Sequence, residues 1–365
     1  MIVSFLMLSA GLVLLVLGAE WLVKGASRLA LSYGISSLVV GLTVVAYGTS
    51  APEMSVSVMS SLQGKSEMAI GNIVGSNIFN VLFILGVSAL ITPLLVDRQL
   101  IHLDVPVMIL SSLVMLLLCA DGNISRVDGL LLFAGAVFYT YWLIRMSRRK
   151  NLDSKPDDFH GSADSASKQG KIGINLIWIL VGLGLLILGS RWLVDSAIAI
   201  ARAWGMSETI IGLTIIAAGT SLPEVATSVI ASIRGERDIA VGNVVGSNVF
   251  NILAVGGLSG VVSQNGLCVS ESIVRFDLPF MLAVAMACFP IFLRGFVITR
   301  ANGLFFLAYY VAYSLYLILG ATNHDALPVF SKVMFEFIAP ITGVMLVSFL
   351  AFEWRLHHKN SGNSP

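Results

Sequence analysis

Apolar residues in this chain fall in blocks of about twenty, divided by short polar breaks, rather than in the narrow stripes of a soluble amphipathic helix. About twenty residues, at 1.5 Å per residue, cross the roughly 30 Å hydrocarbon core of a bilayer. Eleven such blocks are predicted as membrane spans: 2–22, 38–60, 70–92, 103–120, 129–145, 173–193, 208–231, 240–262, 275–293, 303–320 and 334–353. The first runs from Ile2 through Leu17 with no basic leader, and is read as a span rather than a cleaved signal. The one long polar stretch, 146–171, is rich in Ser, Asp and Lys and is expected to be a mobile cytoplasmic linker.

Composition sharpens this reading. Charged residues make up 12% of the 365 positions and hydrophobic ones 56%, against roughly 25% charged in soluble domains. The 34 glycines suit helices packed closely in lipid. A net charge of +1 without a basic tract argues against a nucleic-acid partner. Cys119, Cys268 and Cys288 form no CxxC and are expected to be buried small hydrophobes, and the five histidines lack metal-site spacing. No HExxH or GxSxG lies in a span, so an enzyme is not expected, nor a cofactor. Counting Lys and Arg between spans puts 16 on one side and 6 on the other, though seven of the sixteen lie in Arg145–Lys171. The positive-inside rule then places the N-terminus outside and the C-terminus in the cytoplasm. With a compact chain, this suggests a bacterial inner membrane and a monomeric transport unit.

Self-similarity is the strongest signal. Gly48-Thr49-Ser50-Ala51-Pro52-Glu53 recurs as Gly219-Thr220-Ser221-Leu222-Pro223-Glu224. The segment from Gly71 to Asn80, GNIVGSNIFN, recurs from Gly242 to Asn251 as GNVVGSNVFN, and Trp21-Leu22-Val23 recurs as Trp192-Leu193-Val194. All three pairs are 171 residues apart; Asp104-Val105-Pro106 with Asp277-Leu278-Pro279, and Arg126 with Arg300, are weaker echoes. Each copy holds five spans. Five is odd, so the second copy enters the membrane from the opposite side. The expected fold is an all-α integral membrane protein: a ten-helix core of two inverted five-helix repeats, plus an extra C-terminal transmembrane helix. The expected units are 1–145, the linker 146–171, 172–320, and a tail 321–365 carrying the eleventh span. Inverted repeats are common in secondary transporters, with the substrate site at midplane between them.

The matching residues are polar and intramembrane. An ionised carboxylate inside a bilayer costs several kcal/mol or more, so Glu53 and Glu224 are candidate functional groups facing the interior. Pro52 and Pro223 lack the N–H that would bond carbonyls near Gly48 and Gly219, freeing oxygens toward a cavity. Thr49 with Glu53, and Thr220 with Glu224, are four residues apart and are expected to share one helix face. Asn72, Ser76 and Asn80 form a polar stripe on the third span, and Asn243, Ser247 and Asn251 repeat it on the eighth. Ser76, Asn80, Ser247 and Asn251 are read as site residues. The outer Asn72 and Asn243 are divided evenly between site and packing, and Asn77 and Asn248 are read as packing residues. Two carboxylates with amide, hydroxyl and carbonyl oxygens, and no sulfur or imidazole, select hard cations. Two negative charges are balanced by one Ca²⁺ or by several Na⁺, which is a physical basis for exchange.

At these motifs the chain resembles the calcium/cation antiporter superfamily, in its prokaryotic sodium/calcium exchanger branch. The resemblance covers spans 1–10 and implies secondary antiport of Ca²⁺ for Na⁺ by alternating access. It implies ion-binding roles for Thr49, Ser50, Glu53, Ser76, Asn80, Thr220, Ser221, Glu224, Ser247 and Asn251. Of these, Glu53, Glu224 and the Thr49 and Thr220 carbonyls would hold Ca²⁺, the serines would complete Na⁺ sites, and spans 1 and 6 would slide to switch access. Some relatives carry Asp where this chain has Asn251. The alternative is a H⁺-coupled or other divalent-cation exchanger, in which the two glutamates take protons instead of Na⁺. A channel, conducting without a counter-ion, is a further reading from another class.

Overall fold

The computed structural model describes residues 2–33, 35–153, 165–206, 211, 215 and 217–361. Among them, nine helices are long and apolar enough to cross a membrane. They are Ile2–Tyr33, Ser66–Ile91, Leu100–Leu118, Arg126–Ser147, Gly173–Ala203, Arg237–Val262, Ile273–Leu293, Arg300–Ala321 and Leu327–Phe349. These are the expected spans 1, 3, 4, 5, 6, 8, 9, 10 and 11.

Spans 2 and 7 depart from expectation. They are not continuous helices. Span 2 is Ser37–Thr49 and then Ala51–Leu62, broken at Ser50. Span 7 breaks at the matching place: Ala217–Gly219 is followed by Leu222–Ile233, and 207–210, 212–214 and 216 lie outside the described residues. The reason is local. Pro52 and Pro223 occupy the first turn of the resumed helix, where a missing N–H breaks no bond and the fixed φ suits the start. The prolines therefore begin helices rather than kink them. The polar stretch 146–171 is helical up to Asp153 and again from Ser165, with 154–164 outside the described residues.

The inverted relation is visible in the packing. Helices 1 and 6 run side by side along glycines. A Cβ at Gly11 would lie 2.8 Å from the Gly189 carbonyl oxygen, and one at Gly18 would lie 2.8 Å from that of Gly182. Adding 171 to Gly11 gives Gly182, and to Gly18 gives Gly189, so the seam maps onto itself. Such close backbone approach is how helices gain dispersion contact in lipid, where no hydrophobic force joins them.

Two short sheets clasp the repeats, one on each face. The strands are β1 (Leu94–Leu95), β2 (Asn123–Ile124), β3 (Leu267–Cys268) and β4 (Val297–Ile298). β1 pairs antiparallel with β4, Leu94 opposite Ile298, and β2 with β3, Asn123 opposite Cys268. Each pair joins one repeat to the other. Cys268 sits in a clasp and is exposed, contrary to expectation, whereas Cys119 and Cys288 are buried.

Two arginines reinforce the clasps. Arg126 Nε donates to the Ser263 carbonyl at 2.9 Å, and its counterpart Arg300 donates to the Ile91 carbonyl at 3.5 Å. Arg126→Ala is therefore expected to lower stability by about 1 kcal/mol, read as a lower unfolding temperature in detergent.

Candidate cation site

The breaks at Ser50 (φ −81°, ψ 10°) and Ser221 (φ −90°, ψ 8°) put each glutamate in the first turn of a new helix. Carboxylates are favoured there, because unbonded N–H groups and the helix dipole both present positive charge. Glu53 and Glu224 are fully buried. The break also corrects one expectation: Thr49 ends one helix segment and Glu53 lies in the next, and Thr220 lies in the turn before the helix that carries Glu224, so neither pair shares a continuous helical face.

What joins these groups is bonding between the repeats. Ser221 Oγ donates to Glu53 Oε1 at 2.7 Å, and Ser50 Oγ donates to Glu224 Oε1 at 2.8 Å. Thr49 Oγ1 donates to Asn243 Oδ1 at 3.1 Å, and Thr220 Oγ1 to Asn72 Oδ1 at 3.3 Å. Ser221 Oγ also meets Ser76 Oγ at 3.2 Å. Each glutamate is thus held by the opposite repeat, and neither half builds the arrangement alone. Thr49, Ser50, Glu53, Ser76 and Asn72 are brought together with Thr220, Ser221, Glu224 and Asn243.

The remaining oxygens define what the arrangement can do. Glu53 Oε2, Glu224 Oε2, Asn80 Oδ1, Asn251 Oδ1 and Ser247 Oγ are buried and have no hydrogen-bond partner among the protein's atoms. An unpaired buried polar atom costs about 1–3 kcal/mol, more when charged. Five of them, all from the repeated motifs, suit coordination of a hard cation. Among the described residues no group of three or more His, Cys, Asp or Glu forms, so two carboxylates supply the charge and neutral oxygens the rest. Wide π-helical turns begin at Asn80 and Asn251, a distortion common at functional sites.

Several supporting residues were missed in the sequence. Asn72 Nδ2 donates to Ser57 Oγ and Asn243 Nδ2 to Ser228 Oγ, both at 2.9 Å. Ser57 and Ser228 are themselves 171 residues apart, so extending the repeat would have found them. Asn72 and Asn243 thereby brace the site helices. Asn80 Nδ2 donates to Asn248 Oδ1 at 3.0 Å, and Asn248 Nδ2 to the Asn77 carbonyl at 3.2 Å. Asn248 thus orients Asn80, while Asn77 Nδ2 bonds within its own helix to the Ile73 carbonyl at 2.7 Å. The Gly219 carbonyl, at the end of the first helical piece of span 7, accepts from Ser190 Oγ at 2.9 Å. The matching position in the first repeat is Ala19, which has no donor.

The two approaches to the site differ. A cavity of about 590 Å³ reaches Thr220, Asn72, Gly75 and Ser76 from the face that also holds the N-terminal end of helix 1. Asn72 and Gly75 are half-buried there, whereas their counterparts Asn243 and Gly246 are fully enclosed. On the closed face, helix 1 is tied to the turn after span 7. Glu20 pairs with Arg234, and Ser27 Oγ donates to Glu236 Oε1 at 2.6 Å. The counterparts on the open face make local contacts: Arg191 with Asp195 at 3.9 Å, and Lys65 with Gln63 at 2.9 Å.

Comparison with known proteins agrees with this architecture. The family of the sodium/calcium exchanger protein matches residues 3–145 and 174–319, one match per repeat. A putative antiporter, CaxA, from Alkalimonas amylolytica is 36% identical over 307 residues, covering 83% of this chain and 93% of CaxA. The sodium/calcium exchanger MaX1 of Methanosarcina acetivorans is 32% identical over 342 residues, covering 85% and 97%. The solved sodium-calcium exchanger NCX_Mj superposes with a TM-score of 0.73 at 29% identity, covering 85% of this chain and 97% of NCX_Mj.

Proposed function

This chain belongs to the sodium/calcium exchanger family, and from that premise we propose that it exchanges Ca²⁺ for Na⁺ by alternating access at the paired glutamates. It is a multi-span membrane protein of a family of transporters. The observation that carries the finer reading is the set of unpartnered buried oxygens in the repeated motifs, Glu53 Oε2 and Glu224 Oε2 among them. Ca²⁺ takes 6–8 oxygens in flexible geometry, whereas Mg²⁺ demands a tight octahedron and keeps its water. The ion-binding set is Thr49, Ser50, Glu53, Ser76 and Asn80 with Thr220, Ser221, Glu224, Ser247 and Asn251. Thr49 and Thr220, which also donate across the repeats to Asn243 and Asn72, would add their carbonyl oxygens to the Ca²⁺ site, as the family resemblance implies.

Electrostatics couples the two ions. An empty site leaves two carboxylates together in low dielectric, and one Ca²⁺ or two Na⁺ would neutralise them. Crossing is favoured in the loaded state, and the ions compete for the same oxygens. The open cavity on one face and the ionic tie on the other fit one end state of alternating access. In a bacterial inner membrane with the N-terminus outside, that state faces outward, and one chain forms one transport unit.

The test is ⁴⁵Ca²⁺ uptake into proteoliposomes holding the purified protein. An outward Na⁺ gradient is expected to drive uptake at least tenfold above a gradient-free control, with K⁺ and H⁺ gradients ineffective. Uptake driven by H⁺ and indifferent to Na⁺ would replace this reading with proton coupling. Flux independent of any counter-ion would replace it with a channel.

A further inference from the structure

Two intramembrane acids take no part in the site. They are Asp104 and Asp277, in spans 4 and 9. Ionisable groups inside a membrane are costly and mark ion pathways by default. Both acids close a π-helical turn, Leu100–Asp104 and Ile273–Asp277, and both stand two residues before a proline, Pro106 and Pro279. A proline cannot donate the next helical bond, so the backbone is loosened at the same point in each repeat. Each acid is held by a tyrosine from the following span. Tyr139 OH donates to Asp104 Oδ1 at 2.8 Å, and Tyr313 OH donates to Asp277 Oδ1 at 2.9 Å.

Their surroundings are opposite. Asp277 lines the open cavity of about 590 Å³ together with Thr220, Asn72 and Ser76. Among the described residues of that lining it is the one charged side chain. Asp104 is fully buried, as are Asn243 and Thr49 on the closed approach. The lining of the open path and the packing of the closed path are thus images of each other under the repeat.

We infer that Asp277 captures the cation on the open approach and that Asp104 does the same on the opposite approach when that side opens. This rests on the cation-exchange reading above and adds a second, weaker station to it. A single carboxylate in a cavity with low-dielectric walls focuses the field and raises the local cation concentration. Such focusing increases on-rates by roughly 10–10³-fold and weakens with salt. One acid and one tyrosine are too few ligands to strip a divalent ion of its water, so this station gathers hydrated ions and hands them to the glutamates. Its loss alters capture from one side and leaves the central site intact.

The experiment is ⁴⁵Ca²⁺ exchange by the full-length protein in proteoliposomes, measured separately from each face. Asp277→Asn is expected to raise half-saturating Ca²⁺ about 10-fold on the cavity face at low ionic strength, the lower end of what steering supplies. The maximal rate and the opposite face should be unchanged, and the shift should shrink as salt rises. Asp104→Asn should give the mirror result. Tyr313→Phe keeps the charge and should stay near wild type. The inference is overturned if Asp277→Asn leaves half-saturation unchanged, alters both faces equally, gives a salt-independent shift, or is reproduced by Tyr313→Phe. Should Asp277→Asn fail to insert, Asp277→Ser is judged by the same one-sided shift. Wild-type protein without Na⁺-driven uptake would overturn the exchange reading, and this inference with it. Normal wild-type exchange without the one-sided shift would overturn this inference alone.

Discussion

Glu53→Gln or Glu224→Gln should cut Na⁺-driven Ca²⁺ uptake on the order of 10²–10³-fold, with the protein still folded and inserted. Removing one charge from a buried ionic arrangement costs about 3–5 kcal/mol, and each 1.4 kcal/mol is a factor of ten. Glutamine keeps the shape, and its amide oxygen can still accept from Ser221 or Ser50, which hold the two carboxylates at 2.7 and 2.8 Å. The loss therefore falls on the cation rather than on the fold.

Stability separates these two effects. With no cation bound, two buried carboxylates repel and remain partly unpartnered at Glu53 Oε2 and Glu224 Oε2. Neutralising one should leave the unfolding temperature of the cation-free protein equal or higher. The stabilisation by added Ca²⁺, which grows as the logarithm of free ion over Kd, should vanish. A variant retaining both normal uptake and the Ca²⁺-induced shift would remove these residues from the site.

The second large effect is expected at the seam between helices 1 and 6. A Cβ at Gly182 would sit 2.6 Å from the Leu22 nitrogen and 2.8 Å from the Gly18 carbonyl oxygen. Both obstacles are backbone, which cannot turn aside. Gly182→Leu must push the helices apart, and overpacking of this kind costs about 1–3 kcal/mol. The separation would also disturb the ties of helix 1 to Arg234 and Glu236 and the bond of helix 6 to the Gly219 carbonyl through Ser190. Exchange is expected to fall below a tenth of wild type, with the unfolding temperature lowered. Two residues away, a Cβ at Gly184 meets nothing within 4 Å. Gly184→Leu should therefore behave as wild type, which controls for added bulk in the same helix. Full exchange by Gly182→Leu would contradict the close seam.

Much of the architecture was legible because a membrane leaves few solutions. Nine spans could be read from length and apolarity, since lipid permits only elements that satisfy their own backbone. The breaks at Ser50 and Ser221 were not. A proline that kinks a helix and one that starts a helix look alike in sequence, and only backbone geometry separates them. The clasps β1–β4 and β2–β3 were also hidden, because two-residue strands carry no alternating pattern and take their partner from the other repeat. Ser57 and Ser228 went unnoticed although they obey the same spacing of 171, because a lone serine in an apolar helix carries little signal. The eleventh span was found, and it lies at the periphery with no buried residue in its apolar stretch. Tyr309 meets Thr342 there, and Arg294 lies over the Phe349 ring at 4.4 Å.

The sequence by itself determined the membrane class, the odd-numbered repeat that forces inversion, and the chemical identity of the paired intramembrane oxygen-bearing side chains. Each of these follows from residue type and spacing, which the lipid environment and helix parity translate directly. Only the tertiary structure decided which serine holds which glutamate, because those bonds run between halves that the sequence separates by about 170 residues. It also decided which approach is open. Asn72 and Asn243 sit in almost identical motifs, yet one borders a cavity and the other is sealed. The two motifs alone do not encode that difference, since it comes from the different elements packed against them in each half.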